Sequence, residues 1–68
     1  LAIQSAINEL PERCKLIFLM AKEEGLKYRE IAEILSISEK TVNAQIVIAI
    51  KKLAYILKKK LIVFLAII

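Results

Sequence analysis

The feature that most constrains the fold is the spacing of apolar residues, which recur at intervals of three and four along almost the whole chain. That spacing fits the turn of an α-helix and not the alternation of a strand. The pattern is interrupted at Pro11, at Gly25 and over 36–38, and the 68 residues contain no other glycine or proline. We therefore predict a small all-α domain of four helices, at about 1–9, 11–23, 27–35 and 38–60.

Local signals place the ends of these helices. Pro11 fits the first turn of the second helix, where its missing N–H is no loss. Gly25 is the expected stop of that helix, because glycine adopts the left-handed cap conformation without strain. Ser38 is a good N-cap for the fourth helix, with a hydroxyl that can accept from the N–H of residue 40 or 41.

The fourth helix has two distinct sides when it is projected at about 100° per residue. One side is predicted to be core and carries Val42, Ile46, Ala49, Leu53 and Leu57. The other is a surface stripe and carries Lys40, Ala44, Val47, Lys51 and Lys58. A short third helix with Ile31, Ala32 and Leu35 on one face comes before it, and the turn between the two is brief. This arrangement indicates a helix-turn-helix.

Charge and chemistry narrow the function. Eleven Lys and Arg oppose seven Asp and Glu, for a net charge of +4, and five lysines fall between residues 51 and 60. A basic second half favours nucleic acid or an anionic membrane surface. One cysteine and no histidine leave no plausible metal or cofactor site, and Cys14 is predicted to be a small buried hydrophobe. Without His, Asp or a glycine-rich phosphate loop, we do not expect an enzyme.

A set of residues along the chain matches the pattern of a known family. The set is Leu10-Pro11-Glu12-Arg13-Cys14, Ile17-Phe18, Gly25-Leu26, Tyr28, Glu30-Ile31-Ala32, Leu35, Ile37-Ser38, Thr41-Val42, Ile46, Ala49 and Leu53. It resembles region 4, the carboxyl-terminal domain, of the extracytoplasmic-function sigma factors of the sigma-70 family. The resemblance covers nearly the whole chain, and the opening and the apolar tail of the chain are most similar to the versions in Bacteroidetes.

The resemblance implies a domain that docks the minus-35 element of double-stranded promoter DNA into RNA polymerase. The fourth helix would lie in the major groove, and the first helices would pack against the flap of the β subunit. An anti-sigma factor commonly masks region 4 in this family. We interpret 1–68 as one such domain, with the helix-turn-helix at about 28–47. It would be a fragment, without region 2, of a longer cytoplasmic sigma factor.

A major groove admits the outer side of the fourth helix near its amino end. The predicted base contacts are Lys40, Thr41, Asn43, Ala44 and Val47. The predicted phosphate contacts, which fix register without reading sequence, are Tyr28, Arg29, Ser38 and Lys51. Tyr28 has an alternative role as a half-buried packing residue. Lys52 and Lys58 would add weaker, salt-screened attraction.

Some positions depart from the family pattern. Ser36 lies where glycine is usual in the turn, and a left-handed residue other than glycine costs roughly 1 kcal/mol there. Polar or basic residues are common at three positions that are apolar in this chain, namely Val47, Ile48 and Ala54. We therefore expect weak affinity for DNA in isolation.

The apolar tail at 61–68 follows three lysines and is too short to cross a bilayer, which needs about 20 residues. Three interpretations are open: a continuation of the fourth helix that packs on the first two helices or on another chain, a surface membrane anchor, or a disordered and aggregation-prone end. We expect the first, which allows self-association through 57–68.

Two other functions compete with the sigma-factor hypothesis. The half of the chain from Tyr28 onward shares its pattern with LuxR-type response-regulator domains, which would dimerise through the last helix. Alternatively, the helix-turn-helix is a scaffold and the apolar tail serves protein interaction.

Overall fold

The computed structural model describes the backbone of residues 2–67 and the side chains of residues 3–67. Four helices follow one another: α1 (Ala2–Asn8), α2 (Glu12–Lys22), α3 (Tyr28–Leu35) and α4 (Glu39–Ile67). Residues 2–67 form no strand. The predicted all-α fold of four helices is therefore confirmed, while the assignments at Leu1 and Ile68 lie outside the described residues.

Helix α4 organises the domain. Its 29 residues, at about 1.5 Å per residue, account for most of the longest dimension of the molecule, which is 47 Å. The other three helices all pack against it. The helix continues beyond the boundary predicted near residue 60 into the apolar extension and reaches Ile67, since no glycine or proline interrupts it.

The core consists of two clusters of buried side chains that share α2 and α4. The first cluster joins α1 to α2 and α4 through Ala6, Ile7, Leu10, Cys14, Ala49 and Leu53. The second cluster joins α2, α3 and α4 through Ile17, Met20, Ile31, Ala32, Val42 and Ile46. Four of the five core positions predicted on α4 are thus confirmed, and the fifth, Leu57, packs on the edge of the first cluster while only partly buried.

Two large apolar side chains of α1 and α2 are exposed outside these clusters. Ile3 is 58% exposed and Leu16 is 47% exposed. Leu16 precedes the fully buried Ile17, so it projects from a different side of α2. Helix α2 therefore has more apolar residues than its buried side can accommodate.

The ends of α2 follow the local signals with one difference. Pro11 has φ −53° and ψ 146° and is the N-cap, so the first helical residue is Glu12 and not the proline. The Pro11 carbonyl accepts the first helical hydrogen bond from the N–H of Lys15, at 2.8 Å. Beyond the other end, Gly25 has φ 67°, and the N–H of Leu26 donates to the Met20 carbonyl at 3.1 Å. The predicted stop at Gly25 is confirmed.

The carboxyl end of α4 leaves the body of the domain. An ion pair, 3.1 Å long, between Lys60 and Glu9 joins this part of α4 to the residues that follow α1. Beyond this pair, residues 61–67 are helical but exposed. The predicted continuation of the helix is confirmed, whereas packing of its apolar residues on the first two helices is wrong, because α1 is too short to run beside them. Within residues 2–67, no helix has the length and apolar character needed to span a membrane.

Candidate nucleic-acid interface

The turn between α3 and α4 fixes the angle at which α4 leaves the core. Ser36 caps α3 with φ 55° and ψ 44°, the left-handed conformation that its position in the turn predicts. The N–H of Ile37 then donates to the Ala32 carbonyl at 3.0 Å. The Ile37 side chain packs against the second core cluster, so both the backbone and the side chain of Ile37 fix the conformation of the turn.

The strained turn leads to a stability prediction. Replacing Ser36 by glycine is expected to raise the free energy of unfolding by about 1 kcal/mol, because glycine has no Cβ to oppose a positive φ. Thermal unfolding followed by circular dichroism should show a rise of roughly 4–8 °C. Ser5→Gly is the matched control: Ser5 is exposed inside α1, so there the same change should destabilise. A loss of stability in Ser36→Gly would contradict the assigned strain.

The amino end of α4 is closed by Ser38, as predicted. The N–H of Thr41 donates to the Ser38 hydroxyl oxygen at 3.0 Å, and the hydroxyl groups of these two residues are 2.9 Å apart. The Ser38 carbonyl accepts from the N–H of Val42 at 3.1 Å. This cap holds the first turn of α4 rigid, and the two exposed hydroxyl groups keep further hydrogen-bonding capacity.

The side of α4 that faces away from the core is called here the outer face, and it consists of Lys40, Asn43, Ala44, Val47 and Lys51. All five side chains are exposed, as is that of Thr41 beside them. The inner side of the same turns holds the buried Val42, Ile46 and Ala49. The structure therefore brings all five predicted base contacts to one accessible region, with Lys51 one turn further along.

The other predicted phosphate contacts lie at the start of α3 and at the cap of α4. Arg29 and Ser38 are exposed. Tyr28 is only half-buried, and its ring packs against the second core cluster, which agrees with the alternative role as a packing residue. Glu30 is exposed, and its carboxylate accepts from the N–H of Lys27 at 2.8 Å and so closes the amino end of α3.

The outer face carries positive charge that is available to an anion. Within residues 2–67, the ion pair between Lys60 and Glu9 is the only one closer than 4.0 Å, so Arg29, Lys40 and Lys51 have no acidic partner there. Charges that are exposed and unpaired in this way can attract a polyanion such as the phosphate backbone of DNA.

Cys14 has a structural role. The side chain is 2% exposed, and its Sγ lies 3.5 Å from the Gln45 carbonyl oxygen of α4. Burial raises the pKa of the thiol, and the charge of Lys52 opposes that rise. A thiol with a raised pKa is a poor nucleophile. The described residues also contain no group of three or more His, Cys, Asp or Glu side chains that could hold a metal ion.

An α-helix, a short turn and a longer helix with an exposed basic outer face define a helix-turn-helix DNA-binding domain. Comparison with protein families specifies the class further: residues 1–53 match the model of sigma-70, region 4. The chain belongs to this family, whose members are DNA-binding regulatory domains of sigma factors and not enzymes. The predicted relation to region 4 is confirmed. Neither the curated proteins nor the solved structures contain a match to the chain.

Proposed function

We propose that this domain reads the minus-35 element of bacterial promoters as region 4 of an extracytoplasmic-function sigma factor. The observation that carries the proposal is the exposed outer face of α4, which lies opposite the buried side of the helix and directly after a capped turn. A helix presented in this way fits the major groove of DNA. The family match favours this function over the LuxR-type alternative.

The side chains of the outer face suit different base edges. Lys40 can donate to the O6 and N7 atoms of guanine, and Asn43 can pair with the N6 and N7 atoms of adenine. Ala44 and Val47 can contact a thymine methyl group, and Thr41 has a hydroxyl beside them. Because Val47 is 41% exposed and apolar, an A·T pair is the expected partner near it.

Backbone contacts would fix the register of this helix on the duplex. Arg29 at the start of α3 and Lys51 on the outer face of α4 are exposed cations, and Ser38 presents its hydroxyl at the amino end of α4. The positive end of the α4 dipole adds to this attraction for phosphate. Tyr28 would reach a phosphate only with its hydroxyl, since its ring packs on the core.

The same proposal places the domain within a longer cytoplasmic sigma factor bound to RNA polymerase. Leu16 is the exposed member of the apolar run in α2, and it lies in a surface hollow with Glu12, Arg13 and Leu35. This hollow is our candidate contact with the β flap. An anti-sigma factor would regulate the protein by covering region 4.

Promoter selection tests the proposed readout. The complete sigma factor that carries this domain is assembled with core RNA polymerase and given a library of promoters varied around minus 35. Lys40→Ala and Asn43→Ala should each relax selection at one or two base pairs, by roughly 10- to 100-fold per base, and leave the other positions unchanged.

Matched controls separate base reading from general effects of the substitutions. Lys59→Ala removes an exposed lysine, and Asn8→Ala an exposed asparagine, far from the outer face. Both should select promoters as the wild type does. If Lys40→Ala and Asn43→Ala also keep wild-type selection, the outer face does not read the element and the assigned base contacts are wrong.

A further inference from the structure

The end of α4 is apolar on all sides. Residues 61–67 are consecutive apolar residues, and at about 100° per residue they cover the whole circumference of the helix. The six large side chains among them are between 54% and 79% exposed: Leu61, Ile62, Val63, Phe64, Leu65 and Ile67. This segment lies outside residues 1–53, which the family model matches.

Neither a single partner helix nor a second copy of the chain fits this segment well. One partner helix would cover a single side and leave the others in water. A second copy of the chain would bring its own lysines close to those of the first. The two sets would repel each other, because α4 contains no acidic residue after Glu39 that could neutralise them. A helix that is hydrophobic all round is instead typical of a protein interior or of lipid hydrocarbon.

The base of the segment has the residues of a membrane interface. Lys58, Lys59 and Lys60 are consecutive and fan over about 200° of the helix. Lys60 pairs with Glu9, whereas Lys58 and Lys59 are exposed and have no acidic partner in the described part of the chain. Tyr55, one turn earlier, is 67% exposed. Lysine and tyrosine are suited to the headgroup level, where their apolar parts meet the acyl chains and their polar ends remain in water.

We propose that residues 61–67 insert into one leaflet of a membrane that contains anionic lipids, with Lys58 and Lys59 at the headgroups. Seven residues of helix are about 10 Å long, which is shorter than one leaflet of a hydrocarbon core about 30 Å thick. Each lysine near such a surface strengthens binding roughly fivefold. This binding is separate from DNA reading, and its test needs neither DNA nor polymerase.

The experiment uses the full 68-residue chain and vesicles of phosphatidylglycerol mixed with phosphatidylcholine. Because the chain has no tryptophan, Phe64→Trp supplies a single reporter at the insertion site. Its emission should shift to the blue on adding these vesicles and should be quenched by lipids brominated on their acyl chains. Vesicles of phosphatidylcholine alone should bind far more weakly.

Three variants isolate the groups that carry the binding, measured by co-sedimentation with the same vesicles. Phe64→Glu should weaken it at least about tenfold, because a charge then enters hydrocarbon. Ile34→Glu is the matched control: Ile34 is 60% exposed and Phe64 is 59% exposed, but Ile34 lies on α3, so its substitution should have little effect. Lys58→Gln combined with Lys59→Gln should weaken binding roughly 25-fold.

Three outcomes would overturn the proposal. No binding to the mixed vesicles excludes the membrane as the partner. Binding that Phe64→Glu leaves unchanged means that the lysines adsorb to headgroups without insertion of the helix. A blue shift that grows with protein concentration in the absence of lipid assigns the apolar segment to a second copy of the chain.

Discussion

Replacing Ile31 by alanine is expected to lower the free energy of unfolding by about 3 kcal/mol. The Ile31 side chain has 0% exposure and is one of the largest fully buried side chains. It lies in the second core cluster, where α2, α3 and α4 meet, so its truncation leaves a cavity that three helices must close. Since a domain of this length is typically stable by only about 3–10 kcal/mol, a large part of the folded population should be lost.

Urea unfolding followed by far-ultraviolet circular dichroism measures this effect. The matched control is Ile34→Ala, the same substitution three residues later in α3, where the side chain is 60% exposed. That change should alter stability by less than about 0.5 kcal/mol. If both variants lose the same amount, burial of Ile31 does not account for the loss, and the assigned role of its packing between α2, α3 and α4 is wrong.

The sequence predicts those parts of the fold that depend on local signals. The left-handed conformations at Gly25 and Ser36, and the cap at Ser38, each depend on a few neighbouring residues and are found as expected. The inner side of α4 is also predictable, because Val42, Ile46 and Ala49 repeat at helical spacing. The helical projection of α4 also identifies the outer face, which lies opposite this inner side.

Other features depend on how far neighbouring helices extend, and spacing does not report this. Leu16 and Ile3 are apolar residues in helices, yet no other helix covers them. Leu57 lies in line with the core of α4 but beyond the point where α1 and α2 can enclose it. The ion pair between Glu9 and Lys60 joins residues 51 positions apart, and nothing local in either segment predicts it.

Helix α4 therefore has different partners along its length. Its first turns have a buried inner side and an exposed outer face, which is the arrangement that reading a groove requires. Its last turns have no inner side, because the rest of the domain ends near Lys60. The family match stops at residue 53, close to this change in surroundings. The two proposals concern different parts of one helix and share only Lys58, so Lys40→Ala and Phe64→Glu are the variants that test them separately.

The affinity of the domain for a minus-35 duplex is expected to fall about 12- to 150-fold when monovalent salt is raised fourfold. This range follows from counterion release by about two to four phosphate contacts, for which Arg29 and Lys51 are the principal candidates and Lys52 and Lys58 the weaker ones. All four side chains are exposed. Fluorescence anisotropy of a labelled duplex across a salt series gives the slope.

Lys51→Ala identifies the source of this dependence. It should reduce the slope of log affinity against log salt by about 1 and weaken binding to all sequences alike, because a phosphate contact carries no base preference. Lys59→Ala removes the same charge at a position away from the outer face and should leave the slope nearly unchanged. If salt barely alters the affinity of the wild type, the contact with DNA is not made through phosphates, and the domain serves protein interaction in place of promoter reading.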